Sequence, residues 1–108
     1  MEQLQITEKN GANYVLYDLS GVLSTYTCSE FQEKVYEEIQ HSNLVFDLSG
    51  VEEIDSVGVG IIMSCFNDGE EYGYKLYLMN PSPAVRQALE DTGFYSIFNF
   101  IHSVTEMV

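Results

Sequence analysis

The segment of this sequence best suited to chemistry runs from Asp47 to Gly60. A predicted strand ends there, an acidic loop follows, and Ser56 opens a predicted helix. Open α/β sheets form their sites at the carboxyl ends of the parallel strands, which is where this order places Ser56. A phosphate on the Ser56 hydroxyl would meet unpaired amides and the positive end of the helix. The residue is therefore a candidate charge switch.

A simpler role competes with this one. Either Ser56 or Asp55 can serve as the N-cap of the helix, where such a residue contributes about 1 kcal/mol. Asp55, Glu52 and Glu53 would also oppose a neighbouring phosphate, and the combined negative charge would repel an acidic partner surface.

The helix after Ser56 is apolar around most of its circumference, with the apolar residues Val57, Val59, Ile61, Ile62 and Met63. Gly58 and Gly60 each weaken a helix by about 1 kcal/mol relative to alanine. Tight packing on the sheet, or close approach of a partner backbone, would compensate for them. A helix this apolar is either fully buried or half of an interface, so we expect Val57 or Ile61 to be partly exposed.

Catalytic patterns are absent from the sequence. Gly58-Val-Gly60 lacks the third glycine of a dinucleotide loop and the Lys-Ser/Thr of a phosphate loop. Asp18, Asp47 and Asp55 fall near strands, but neither His41 nor His102 is placed to complete a catalytic set with them. We therefore predict a non-enzymatic protein that needs no cofactor.

The two cysteines, Cys28 and Cys65, form no C-x-x-C pair and have no clustered histidines. A structural zinc ion needs about four ligands, so no metal site is expected. Buried free thiols in a reducing cytoplasm are the prediction.

Charge and length exclude other classes. The 108 residues suit one domain, 1–108, and carry 17 acidic against 4 basic residues, a net charge of −13. A surface this negative repels nucleic acid and anionic lipid. The longest apolar stretch, residues 57–66, is too short to cross a bilayer core of about 30 Å, so no membrane insertion is expected. The N-terminus lacks the features of a signal peptide, and we predict a cytoplasmic protein.

Periodicity and turn signals predict the order β-β-α-β-α-β-α followed by a tail. Strands are predicted at residues 4–8, 14–19, 44–48 and 74–79, with a hairpin turn at Asn10-Gly11 and a break at Gly21. The helices are predicted after a capping box at Thr27–Glu30, over residues 57–72, and from Ser82-Pro83 to Gly93. The tail, residues 94–108, is expected to hold a further helical segment.

Each inner strand has one wholly apolar side, while the other side carries a single charge, Asp18, Asp47 or Lys75. A sheet covered on both faces would show fewer charges. We therefore predict a two-layer α/β domain. Its mixed, mostly parallel sheet of about four strands starts with a β-hairpin, its helices pack mainly on one face, and the other face is partly wet.

Three motifs resemble the STAS domain family, typified by bacterial anti-sigma factor antagonists. Residues 43–60 are similar to the family's strand, loop and Asp-Ser-x-Gly helix start. Residues 76–94, ending in Thr-Gly-Phe, match its next strand and helix, and Leu19-Ser-Gly-Val-Leu23 matches its hairpin exit. The resemblance covers nearly the whole chain.

By this resemblance, Ser56 matches the serine that is phosphorylated by an anti-sigma factor with serine kinase activity. The unphosphorylated form binds the anti-sigma factor and releases a sigma factor; phosphorylation stops binding, and a PP2C-type phosphatase restores it. The implied partner-binding residues are Ser24, Asp55, Ser56, Val57, Gly58, Val59 and Ile61.

Two positions depart from the family pattern. Ser24 follows Gly21-Val-Leu23 where the family usually has Asp, and Val57 follows the switch serine where it usually has Ser or Ala. The loop after Leu23 and the loop before Ser56 should be neighbours, because both leave the carboxyl ends of parallel strands. Since positioning dominates phosphoryl transfer, we expect slow phosphorylation.

A second function stays open at this point. The chain could be a non-phosphorylated scaffold or ligand-binding subunit of a stress-sensing complex, or of a membrane lipid or anion transport complex. Weak nucleotide binding to the wet sheet face also stays open.

Overall fold

The five strands of the sheet lie side by side in chain order. The computed structural model describes residues 2–107. Its strands are β1 (Leu4–Asn10), β2 (Tyr14–Leu23), β3 (Asn43–Ile54), β4 (Leu76–Met79) and β5 (Asn99–Ile101), and its helices are α1 (Ser29–Glu38), α2 (Ser56–Tyr72) and α3 (Pro83–Asp91). The β1–β2 pair is antiparallel and the other pairs are parallel. The predicted mixed sheet with a hairpin start is confirmed, with one strand more than expected.

Two strands run further than the sequence suggested. Gly21 was expected to end β2, but it adopts a φ of 102° inside the strand, where the pairing with β3 shifts register. Glycine allows such an irregularity without steric cost, so β2 continues to Leu23. The predicted acidic loop is likewise mostly strand, because Glu52 and Glu53 belong to β3. The carboxyl ends of β2 and β3 therefore lie next to the start of α2.

One face of the sheet forms the main core. The apolar sides of the three inner strands pack there against buried residues of all three helices. The strand residues are Val15, Tyr17, Leu19, Leu44, Phe46, Leu48, Leu76 and Leu78, and the helix residues are Phe31, Val35, Ile61, Ile62, Cys65, Val85 and Leu89. The two-layer arrangement with helices on one face is confirmed.

The opposite face is partly solvated, as predicted. A small second cluster of Leu16, Val45 and Ile101 is buried there, while Asp18 and Asp47 are half-buried and Lys75 is exposed. Part of the chain's tail packs on this cluster. The tail was expected to be helical, but it forms β5 and two short 3₁₀ helices, Tyr95–Ile97 and Val104–Glu106. Of the predicted domain 1–108, Met1 and Val108 lie outside the described residues.

The helix ends show which polar side chains act as caps. Ser82 caps α3 by accepting from the Val85 amide at 3.3 Å, as predicted. The capping box predicted at Thr27 is wrong: α1 begins after Cys28 without a side-chain cap. The Thr27 hydroxyl instead donates to the Val22 carbonyl at 2.7 Å and accepts from the Ser24 amide at 2.9 Å. Thr27 therefore orders the loop between β2 and α1.

Both cysteines are free and buried, as expected. Burial raises the pKa of the Cys65 thiol to about 12, so its reactive thiolate is suppressed at neutral pH.

Candidate functional site

The Asp55 carboxylate organises the start of α2. Its Oδ1 accepts hydrogen bonds from the Val57 and Gly58 amides at 3.0 and 3.1 Å, which makes Asp55 the N-cap. Its Oδ2 accepts from the Thr25 amide at 2.9 Å and from the Thr25 hydroxyl at 3.0 Å. These bonds favour the charged form, so the Thr25 amide, followed by the helix amides and the Thr25 hydroxyl, lowers the pKa of Asp55. One carboxylate thus joins the β2–α1 loop to α2.

Ser56 is the exposed first residue of α2. Because Asp55 takes the N-cap position, the alternative in which Ser56 caps the helix is wrong. Within residues 2–107 the Ser56 hydroxyl has no hydrogen-bond partner, which leaves it accessible to an enzyme.

The expectation that a phosphate on Ser56 would meet unpaired amides needs correction. Asp55 already accepts from the Val57 and Gly58 amides, and its carbonyl accepts from the Val59 amide at 3.0 Å. A phosphate would therefore gain from the helix dipole but not from these three amides, and it would stand beside the Asp55 charge.

The β2–α1 loop and the start of α2 are neighbours, as predicted. The Asp55 amide donates to the Leu23 carbonyl at 3.2 Å. Ser24, however, is only 5% exposed, and its hydroxyl accepts from the Tyr26 amide at 3.2 Å. Ser24 is thus turned inward, although it also lines a groove next to Asp55, and its assignment as a partner-binding residue stays a prediction. Its hydroxyl helps to order the loop beside the site.

Two residues of the same loop were missed by the sequence analysis. Thr25 holds Asp55, and Tyr26 is 86% exposed, more than the other exposed large hydrophobic side chains of residues 2–107. The Thr25–Asp55 contact joins positions 30 residues apart in the chain, and no local pattern signals it. An exposed tyrosine in a hydrogen-bonded loop could have been flagged, because aromatic residues concentrate at interfaces.

The apolar residues of α2 divide between surface and core. Val57 is 38% exposed, which confirms the expectation that Val57 or Ile61 would reach the surface. Ile61 is 1% exposed and packs in the core, so it offers no surface to a partner here, and its assignment as a partner-binding residue stays a prediction. Val59 is half-buried and Gly58 is buried. The surface at the start of α2 is therefore made by Ser56 and Val57.

Gly58 and Gly60 lie in the first turns of α2, but only Gly58 has a steric reason to be glycine. A Cβ at Gly58 would lie 2.7 Å from the Leu23 carbonyl oxygen, so α2 packs against the end of β2 too closely for any side chain. A Cβ at Gly60 would meet nothing within 4 Å. Tight packing on the sheet explains Gly58, whereas the fold itself places no such demand on Gly60.

Acid–base chemistry has little support at this site. Asp55 is held as a carboxylate by its four hydrogen bonds, and the two histidines lie elsewhere, His41 after α1 and His102 after β5. In the part of the chain that the structure describes, no three His, Cys, Asp or Glu side chains converge to hold a metal ion. The arrangement presents an accessible hydroxyl and an apolar side chain on a fixed helix start, which suits recognition by a protein.

The sequence model of the STAS domain matches residues 3–107, and the chain belongs to this family. A Paenibacillus polymyxa protein named anti-sigma F factor antagonist is 24% identical over 111 residues, which span 96% of this chain and 95% of that protein.

Solved structures share the fold. SpoIIAA in its unphosphorylated form matches with a TM-score of 0.78 at 19% identity, over 94% of this chain and 91% of that one. Bacillus SpoIIAA in its phosphorylated form gives 0.75 at 19% identity, over 94% and 95%. An anti-sigma factor antagonist from Mycobacterium paratuberculosis gives 0.77 at 23% identity, over 95% and 89%. Among residues 2–107, none of the helices combines the length and the apolar character needed to cross a membrane.

Proposed function

We propose that this protein is an anti-sigma factor antagonist: a non-enzymatic, cytoplasmic protein-binding domain that sequesters an anti-sigma factor and so releases a sigma factor for transcription. Membership of the STAS family and the similarity to a protein named anti-sigma F factor antagonist support this function. The observation that carries it is the free, exposed hydroxyl of Ser56 at a helix start whose cap is supplied by Asp55.

Phosphorylation of Ser56 is the proposed gate. A contact with a partner would bury the Ser56–Val57 surface, and Val57 provides its apolar part. A phosphate there adds a charge of about −2, and burying it without partners carries a large desolvation penalty. The Val57 and Gly58 amides already donate to Asp55, so the helix cannot compensate through these two groups. Binding of the anti-sigma factor is thereby switched off.

The proposed partners are an anti-sigma factor with serine kinase activity, which adds the phosphate, and a PP2C-type phosphatase, which removes it. SpoIIAA, a protein with the same fold, has been solved in phosphorylated and unphosphorylated forms, which supports this cycle. With Ser24 in the loop beside the site, the phosphorylation step is expected to be slow.

A ligand-binding role is the second candidate, because one observation favours it. A cavity of about 950 Å³ opens at the end of the sheet, with polar lining from Gln5, Ser20, Ser49 and Ser82. Glu52 also lines it, which disfavours a nucleotide's phosphates. Saturable thermal stabilisation by ATP or GTP would support weak nucleotide binding, and its absence would remove that ligand class.

The proposed gate is tested by incubating the protein with ATP and anti-sigma factor kinases from the cell that encodes it, and locating the phosphate by mass spectrometry. Incorporation should occur at Ser56 and vanish in Ser56→Ala. Ser29 offers a matched control, since it is also the exposed first residue of an α-helix. Ser29→Ala should be phosphorylated like the wild type. If neither the wild type nor Ser29→Ala incorporates phosphate, the non-phosphorylated alternative is favoured.

A further inference from the structure

A groove beside Ser56 combines an aromatic wall, an apolar floor and acidic edges. It encloses about 440 Å³ next to the Asp55 N-cap. Val22, Ile54 and Ala84 contribute apolar lining. Tyr26 lines it from the β2–α1 loop, and Glu52 and Glu53 line it from the end of β3. A partner that covers Ser56 and Val57 would therefore meet this groove as well.

The Tyr26 ring is held out in solvent by its loop. The Tyr26 amide donates to the Ser24 hydroxyl, and the preceding Thr25 is fixed to Asp55 through both its amide and its hydroxyl. Yet the Tyr26 side chain is 86% exposed. The ordered loop loses little backbone entropy on binding, and a tyrosine has only two χ angles to fix, so Tyr26 offers a large contact area at a low entropic cost.

The groove's carboxylates are not neutralised by the chain itself. Within residues 2–107 no lysine or arginine lies within ion-pair distance of a carboxylate, so Glu52 and Glu53 meet no basic side chain of their own. The whole chain has only 4 basic residues against 17 acidic ones. Charge complementarity therefore favours a partner that places a cationic side chain against Glu52 and Glu53.

We propose that the groove formed by Tyr26, Glu52 and Glu53 takes an arginine side chain of the partner. A guanidinium group stacks on an aromatic face while its N–H groups donate to carboxylates, and the apolar floor suits its aliphatic stem. This rests on the proposed function, since it specifies how the anti-sigma factor is recognised.

This contact has a consequence for the switch. A guanidinium in the groove is attracted to negative charge whether or not Ser56 carries a phosphate. The arginine contact therefore cannot release the anti-sigma factor by electrostatic repulsion. Release on phosphorylation must come from the free-energy cost of burying the phosphate dianion beside Val57.

The test is an amide-resolved NMR titration of the full chain with N-acetyl-arginine-N′-methylamide, with the citrulline analogue as an uncharged isostere. The arginine probe should shift the amides of Tyr26, Glu52 and Glu53 saturably, with an affinity in the millimolar range typical of one side chain. The citrulline probe should not. Tyr26→Leu, and Glu52→Gln with Glu53→Gln, should each weaken binding at least about fivefold. Tyr72→Leu and Glu33→Gln, at exposed positions elsewhere, should leave it unchanged.

Shifts spread evenly over exposed acidic residues, or equal shifts with citrulline, would overturn the groove proposal. So would an absence of shifts at the groove, whatever the protein's affinity for an anti-sigma factor. If the groove binds arginine but the protein binds no anti-sigma factor, the groove stands and the proposed function fails. The two ideas are therefore tested separately.

Discussion

Asp55 is the residue whose removal should damage the candidate site most informatively. Its carboxylate accepts four hydrogen bonds, two that cap α2 and two from Thr25. Loss of an N-cap costs about 1 kcal/mol. Each bond to Thr25 adds about 0.5 kcal/mol, at the low end of the usual range because the site is solvent-exposed. Asp55→Ala should therefore lower the free energy of unfolding by about 2 kcal/mol.

Two variants separate the cap from the tether. Asn is as good an N-cap as Asp, so Asp55→Asn should keep the cap. It should lose the tether to Thr25 and cost about 1 kcal/mol, because the amide nitrogen that replaces Oδ2 cannot accept from the Thr25 amide. Ser82→Ala removes one side-chain cap bond at the start of α3 and should also cost about 1 kcal/mol, as a matched control. Urea denaturation measures all three. If Asp55→Ala costs no more than Ser82→Ala and Asp55→Asn costs nothing, the tether is energetically irrelevant.

The contribution of Asp55 should also depend on pH. Its hydrogen bonds lower its pKa in the folded state below the ordinary value of 3.8. The stabilisation is therefore complete above that value and is lost as pH falls through the folded pKa. The difference in unfolding free energy between the wild type and Asp55→Asn should stay constant from about pH 7 to pH 5 and shrink below about pH 4. A difference that grows on acidification would contradict the assigned bonds.

Three further predictions concern residues around this start of α2. Val57→Asp should abolish binding of the anti-sigma factor and change the free energy of unfolding by no more than about 0.5 kcal/mol, because Val57 is exposed. Ile61→Asp should unfold the protein, because it buries a charge in the core, and equal stability of the two variants in denaturant would contradict these two positions. Gly60→Ala should stabilise the protein by up to about 1 kcal/mol, whereas Gly58→Ala should destabilise it by about 1–3 kcal/mol, because the new Cβ at position 58 meets the backbone of β2. Thermal unfolding of the two variants should show shifts of opposite sign. Ser24→Asp should accelerate phosphorylation of the switch serine in a time course without much change in affinity for the anti-sigma factor, and equal rates would remove Ser24 from the mechanism.

The sequence predicts elements well where periodicity and end signals agree. The helix α3 has Ser82-Pro83 at its start and Gly93 just beyond its end, and the structure follows these signals. The β3 strand was predicted too short because Ser49-Gly50 and Glu52-Glu53 are typical of loops. Pairing with β2 as far as Ile54 overrides that local preference.

The backbone around Ser56 was predicted in outline but not in detail. Asp55 and Ser56 are both good N-caps, and only the backbone decides between them. Val57 and Ile61 are four residues apart and share a helix face. Val57 is nevertheless exposed and Ile61 is in the core, since Val57 lies in the first turn of α2, at the edge of the packed layer. The tether from Thr25 and the placement of Tyr26 depend on how a distant loop folds over the site, which no spacing in the sequence encodes.

The central claim is that a phosphate on Ser56 controls binding to an anti-sigma factor. Isothermal titration calorimetry of the purified anti-sigma factor with the unphosphorylated protein and with the enzymatically phosphorylated protein measures this directly. Phosphorylation should lower the affinity at least about 100-fold, equivalent to about 2.7 kcal/mol. Ser29→Glu should leave the affinity unchanged. Equal affinity of the two forms would contradict the claim.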